Sequence, residues 1–345
     1  MMGREALGML LSMLMGLGAT VAAELEEELY LVVNEGPLGE ETRYIVLDEE
    51  APLEWFGEER RLLGHHGSVA PLKAEVSARY EPLWLDREVE VFDEAGQSCS
   101  GRVVEVNGLV RVFSLYWLSQ GRVERELGLI GEPVDDGVAR RITELGGAPM
   151  LVAEVELSDP LSCEMGEPVW ARHDLGTARP LPSAMLDESQ VQELVRGLRD
   201  LDGYEEIQRR FEEQVHADER VGRETTWSRY WGARPQVWAF EDNETERIFA
   251  MVAAQAGMGC GEFFGELTEL FELVEVDGLP KAVRLGALGG EAMIPMAMVA
   301  RRGQQLPDII GWSTGTGEAE LLVTHQEGRH RVERRIDKFS YECGC

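Results

Sequence analysis

After its first two dozen residues the chain's apolar and polar positions fall into short strand-like runs, interrupted by one sustained stretch of helical spacing. Residues 29–33 and 43–47 are β-rich runs around a connection bearing Gly and Pro. Residues 49–68 read as loop, and 87–92 alternate charge with valine. Runs 102–106 and 109–113 face each other across Asn107-Gly108. That dipeptide reaches positive φ cheaply at both positions, so the pattern predicts a hairpin with a two-residue type I′ turn. Residues 135–145 predict a short helix with Val138, Ile142 and Leu145 on one side, stopped by Gly146-Gly147. Strand patterning returns over 150–157 and 168–172.

Periodicity disappears over 173–186, where Gly, Pro and Ser make a linker. Helical spacing follows. Asp187 with Gln190 forms a capping-box pair, and Val191, Leu194, Val195, Leu198 and Leu201 recur on one face. Asp202 and Glu205 repeat the box for a second helix carrying Tyr204, Ile207, Phe211 and Val215, with the break at Gly203. Two such faces are expected to pack on a sheet. Beyond Trp227 the chain turns β again: 236–240 and 247–252 flank the polar tip 241–246. Residues 263–276 are ambiguous. Phe263, Phe264, Leu267, Leu270, Phe271 and Val274 have helical spacing, yet Asp277-Gly278 is hairpin-turn chemistry, which makes the second half a strand. Runs 308–312, 318–323 and 329–336 predict a closing meander. The fold class is α+β, mostly β: two antiparallel β domains, 24–172 and 221–345, joined by the linker 173–186 and an amphipathic helix pair at 187–220.

The first 23 residues change the picture of where this fold works. Arg4 precedes an apolar run over 6–17, and Val21-Ala22-Ala23 suits a signal peptidase. The run falls short of the ~20 residues of a comfortable span. A secretory signal peptide is therefore expected, with a periplasmic or secreted mature protein and no membrane span after cleavage. The 345 residues are a soft prior for two domains, and 44% hydrophobic content with eight Trp supplies folded cores. A net charge of −31 repels nucleic acid phosphates and anionic lipid, while tolerating cations or a basic protein partner. Only Lys73, Lys281 and Lys338 stand beside the arginines, a bias that fits a GC-rich bacterial genome.

The five cysteines are Cys99, Cys163, Cys260, Cys343 and Cys345. Export favours disulfides, and no spacing matches a zinc site. Cys99 and Cys163 flank strands of the amino-terminal domain and are expected to pair. Cys260 is expected to bond Cys343 or Cys345, with a Cys343–Cys345 bridge as the competitor. Trp227, Tyr230 and Trp231 could present a sugar-stacking platform, or could simply fill a core. Asp242, Glu244 and Glu246 alternate as calcium oxygens would, but without the glycine a calcium loop needs. His65-His66 and the pair His325 and His330 are candidate ligands or bases; neither has the spacing of a zinc protease. No nucleophile elbow, P-loop or dinucleotide fingerprint occurs, and no cofactor is expected.

Gly259-Cys260-Gly261-Glu262-Phe263-Phe264-Gly265, Ser162-Cys163-Glu164-Met165-Gly166-Glu167-Pro168-Val169-Trp170 and Cys343-Gly344-Cys345 resemble segments of uncharacterised exported proteins of myxobacteria. That resemblance implies compartment and architecture, and no activity. Leu306-Pro307-Asp308-Ile309-Ile310 is similar to the end of an FG-GAP propeller blade, but the calcium loop that should precede it reads Arg301-Arg302-Gly303-Gln304-Gln305. The function expected is an exported non-enzymatic binding or envelope-associated protein of unknown ligand. The rival is an extracytoplasmic hydrolase working with a carboxylate acid/base pair, which would need a concave pocket where titratable groups with shifted pKa values converge.

Overall fold

Residues 29–33 read Leu-Tyr-Leu-Val-Val without polar alternation because both faces of the strand they form are buried. The computed structural model describes residues 29–35, 42–59, 61–63, 67–111, 149–159, 163–173, 176–214, 227, 234–257, 263–288, 293–313, 319–326 and 329–337. The expected signal peptide, the expected helix at 135–145, His65, His66, Tyr230, Trp231, Cys260, Cys343 and Cys345 lie outside them. So does any test of the pairing expected for the last three.

The first sheet contains β1 (Leu29–Glu35), β2 (Thr42–Asp48), β3 (Arg61–Leu63), β4 (Gly67–Pro71), β5 (Glu88–Asp93), β6 (Ser98–Arg111), β7 (Pro149–Leu157) and β8 (Pro168–His173). Its pairings run β1–β2–β7–β6–β5–β8 and return to β1, every neighbour antiparallel, so six strands close into a ring. The β3–β4 hairpin attaches to the far half of β6. Helix α1 (Ala74–Trp84) connects β4 to β5. One face of the ring gathers Tyr30, Val32, Ile45, Val91, Val103 and Ala153, closed by Trp84, whose ring meets Tyr30 edge to face at 5.2 Å.

Beyond β8, β9 (Arg179–Leu181) leads into α2 (Glu188–Arg199) and α3 (Asp202–Gln214). A four-stranded meander follows: β10 (Gln236–Asp242), β11 (Arg247–Gly257), β12 (Phe264–Val276) and β13 (Leu279–Ala287). The meander β14 (Met293–Ala300), β15 (Asp308–Ser313), β16 (Ala319–Gln326) and β17 (Arg329–Asp337) then forms a five-stranded sheet with β9 on its edge. The fold is thus α+β and mostly β, with antiparallel sheets throughout. The layers follow from which side chains share a core. Leu31, Val33 and Trp170 of the ring pack with Val299, Ile310 and Leu322 of the five-stranded sheet. The opposite face of that sheet, with Met298, Ile309 and Leu321, meets Phe249, Met251 and Leu270 of the four-stranded one. Leu194, Leu198, Ile207 and Phe211 of the two helices cover the remaining face at Ala250, Val252 and Phe271.

Several expectations need correction. Asn107 and Gly108 make no turn. They lie inside the 14-residue β6, with Asn107 opposite both Pro71 of β4 and Val152 of β7. Gly108 is needed there for room: a Cβ would fall 2.3 Å from the Phe56 ring. The turn expected at Asp277-Gly278 is present, with φ of 54° and 77°. Residues 264–276 are strand throughout, because the spacing that looked helical belongs to a strand whose neighbours on both sides supply the alternation. The stretch read as linker contributes β9 and a bridge from Ser183 to Phe240. The helices part at Asp200 and Leu201, and Gly203 sits inside α3. The Asp187 capping box forms as expected, Gln190 and Asp187 each accepting the other's backbone N–H at 2.9 Å. Cys99 and Cys163 are bonded, Cα atoms 5.9 Å apart.

Candidate functional site

Trp227 is fully buried between the helices and the four-stranded sheet, its ring 4.9 Å from Tyr204 and edge to face with it. Its backbone N–H donates to Gln208 Oε1 at 2.7 Å. No sugar can stack on a ring with no exposed surface, so the platform reading loses its first member. The acidic tip is equally committed. Asp242 Oδ1 accepts the backbone N–H of Glu244 at 2.9 Å and pairs with Arg179 at 2.5 Å, and Arg179 also reaches Glu244 at 3.3 Å. These oxygens build a turn and fasten β9 to β10 rather than circling a cation.

The arrangement with the most chemistry lies where the β3–β4 hairpin leans over β6. On the three strands β2, β7 and β6, the row that is apolar at one end turns polar at the same level. Met150 and Val152 are followed on their face of β7 by Glu154, and Leu109 on β6 by Asn107 and Glu105. Glu154 has Tyr44 as its cross-strand partner on one side and Glu105 on the other. Arg61 reaches Glu154 at 3.7 Å from the hairpin. A cleft of about 310 Å³ opens beside this row, lined by Glu59, Arg61, Val69, Pro71, Glu105 and Asn107. Asn107 is 3% exposed, so its side chain forms part of the wall.

Burial sets the proton affinities here. Desolvation pushes the Glu154 carboxyl up; Arg61 opposes the shift and Glu105 adds to it. The Tyr44 phenol is pushed up to about 12, first by burial and then by the charge of Glu154. Glu154 is therefore a carboxyl poised toward its protonated form, backed by a phenol that keeps its proton and facing the carboxylate of Glu105. Such a row can hold a cation, which would favour the ionised form of Glu154, or can pass a proton.

No family model, curated protein or solved structure matches the chain.

Two other polar places differ from the cleft. A second cleft of about 310 Å³ lies over the Cys99–Cys163 disulfide, with Ser98, Ser100, Ser158 and Asp159 around it. On the five-stranded sheet, Asp308 is wholly buried, its carboxyl raised by desolvation against the pull of Arg301. Arg301 pairs with it and reaches Glu333 at 3.5 Å. Nearby, His330 is pushed down to about 4, by burial first and then by His325. Sequence reasoning named the histidines and missed the cleft. Glu105 shares its face of β6 with Asn107, and Glu154 its face of β7 with Met150 and Val152; only the pairing of the two strands brings the carboxyls together.

Among the described residues, no helix is long and apolar enough to cross a membrane.

Proposed function

We propose that the chain is an exported, non-enzymatic binding protein whose cleft between the β3–β4 hairpin and β6 receives a cationic group of its ligand. The observation that carries this reading is the charge arrangement of the cleft. Glu59 and Glu105 line it and Glu154 stands beside it, with Arg61 as the cation in the lining. A net charge of −31 adds a long-range field that draws cations toward it. The Cys99–Cys163 disulfide fits an oxidising compartment, as the N-terminal layout does. The test is calorimetric titration of the protein with organic cations, from a polyamine to an arginine-rich peptide. Saturable binding is expected, weakened by salt and by Glu105→Gln. Absence of binding across the series, or equal binding by the Glu105→Gln variant, overturns the proposal.

The hydrolase reading keeps one specific support, the raised Glu154 carboxyl beside the Glu105 carboxylate, an acid and a base on adjacent strands. Turnover of any ester, amide or glycoside substrate that disappears in both Glu154→Gln and Glu105→Gln would favour it over binding alone.

A further inference from the structure

The β16–β17 hairpin carries two histidines that the cleft does not use. His325 and His330 are direct cross-strand partners, so their side chains leave the sheet on the same face. Their ring centroids are 4.9 Å apart and the planes cross at 66°. His330 is 5% exposed, and among the described residues neither of its nitrogens has a hydrogen-bond partner. The Nδ1 of His325 is likewise buried and unpartnered. An imidazole always has a nitrogen to satisfy, and leaving such groups bare inside a protein costs roughly 1–3 kcal/mol each.

We propose that His325 and His330 chelate a borderline divalent transition-metal ion, with Cu(II) the tightest of the series. Two imidazole nitrogens that each sit about 2.0–2.1 Å from a metal lie roughly 3 Å apart, a spacing that small rotations of two rings in edge-to-face contact can reach. Opposed positions on an antiparallel pair hold Cβ atoms about 4.5–5.5 Å apart, so the strands supply the bite without moving. Imidazole pairs follow the ordinary order of divalent affinities, which peaks at copper. Among the described residues no third Cys, His, Asp or Glu joins the pair to make a metal cluster, and half-buried His325 leaves one side of the pair open to solvent. The carboxylate of Asp308 stays with Arg301 and with the backbone N–H of His325, holding the strand rather than the ion. Binding would relieve one bare nitrogen on each ring and lock the hairpin end.

The experiment titrates the full chain, stripped of metal with a chelator, with Cu(II), and reads electron paramagnetic resonance for hyperfine splitting from imidazole nitrogens. One site per chain with two imidazole nitrogens is expected. His325→Gln should weaken it by roughly tenfold or more, and so should His330→Gln. A variant with His65 and His66 both changed to Gln should bind as the parent does. His330 is buried, so a failure of its variant to fold carries no weight; His325 is half-buried and its variant decides the question alone. Unchanged affinity in His325→Gln, or loss of the signal in the His65/His66 variant instead, overturns the proposal.

Discussion

A glycine can be required for space or for backbone conformation, and positions 108 and 278 separate the two. Gly108 has ordinary strand geometry, and a Cβ there would meet the Phe56 ring at 2.3–2.6 Å. Gly278 has open space around it and a φ of +77°, a region an L side chain enters only at a cost of roughly 1–2 kcal/mol. Gly108→Ala should therefore destabilise by about 1–3 kcal/mol through overpacking. The mechanism has its own check. In a Phe56→Ala background the Gly108→Ala cost should largely vanish, because the two positions share one volume. The cost of Gly278→Ala should be the same in both backgrounds. Urea unfolding of the three single and two double variants measures this; an unrelieved Gly108 penalty would mean that β6 is strained at that point for another reason.

At the scale of the element, what was legible in the sequence is what depends on near neighbours. The start of α2 is written into Asp187 and Gln190, which satisfy each other's backbone donors whatever the helix packs against. Asp187→Ala should accordingly cost about 1 kcal/mol of stability, measurable by thermal unfolding, and no loss at all would show the cap to be redundant. Strands β15 to β17 were legible for the same reason, since each pairs with the next; β14, at the head of that meander, was not read. Helix α1 was not: Ala74–Trp84 has a shallow apolar stripe, buries only Val76 and Trp84, and carries Pro82 near its end. The ring was not legible either. Its closure depends on β6 pairing with both β5 and β7, and β7 begins 38 residues after β6 ends. Asn107-Gly108 misled because turn chemistry is only a permission. With Pro71 and Val152 offering partners on both sides, the extended strand wins. The cleft shares this limit: Tyr44, Glu105 and Glu154 meet only because three strands distant in sequence align, and no local spacing announces them.

Across the whole molecule, apolar cores hold the layers together and arginines fasten their edges. Arg179 on β9 pairs with Asp242 on β10, and Arg247 forks onto Glu272 at 2.7 and 2.9 Å while donating to the Gln305 carbonyl at 2.7 Å. A planar guanidinium can serve a carboxylate and a carbonyl at once, which lysine cannot, so the arginine bias read as a genomic signature also has structural work in these joints. Arg334 on β17 is the fastener between the five-stranded sheet and the ring. It lies 3.3 Å from Glu49 Oε1, donates to the Val46 carbonyl at 3.2 Å, and sits 5.4 Å over the Tyr30 ring. Burial raises the Glu49 carboxyl above its ordinary range, and Arg334 is the main opposing influence. Arg334→Met keeps the stem and removes that influence, so the folded pKa of Glu49 must rise further above its unfolded value. A group raised in this way stabilises at low pH and loses that contribution as pH climbs through the window above the usual glutamate pKa. The variant's deficit should therefore be small near pH 4 and reach about 1–3 kcal/mol near pH 7, where a buried carboxylate is left without its partner. Adding Glu49→Gln to Arg334→Met should recover most of the loss at neutral pH. Urea unfolding at the two pH values decides it: a deficit that is the same at both would assign Arg334 to packing against Tyr30, with no charge partnership across the layers.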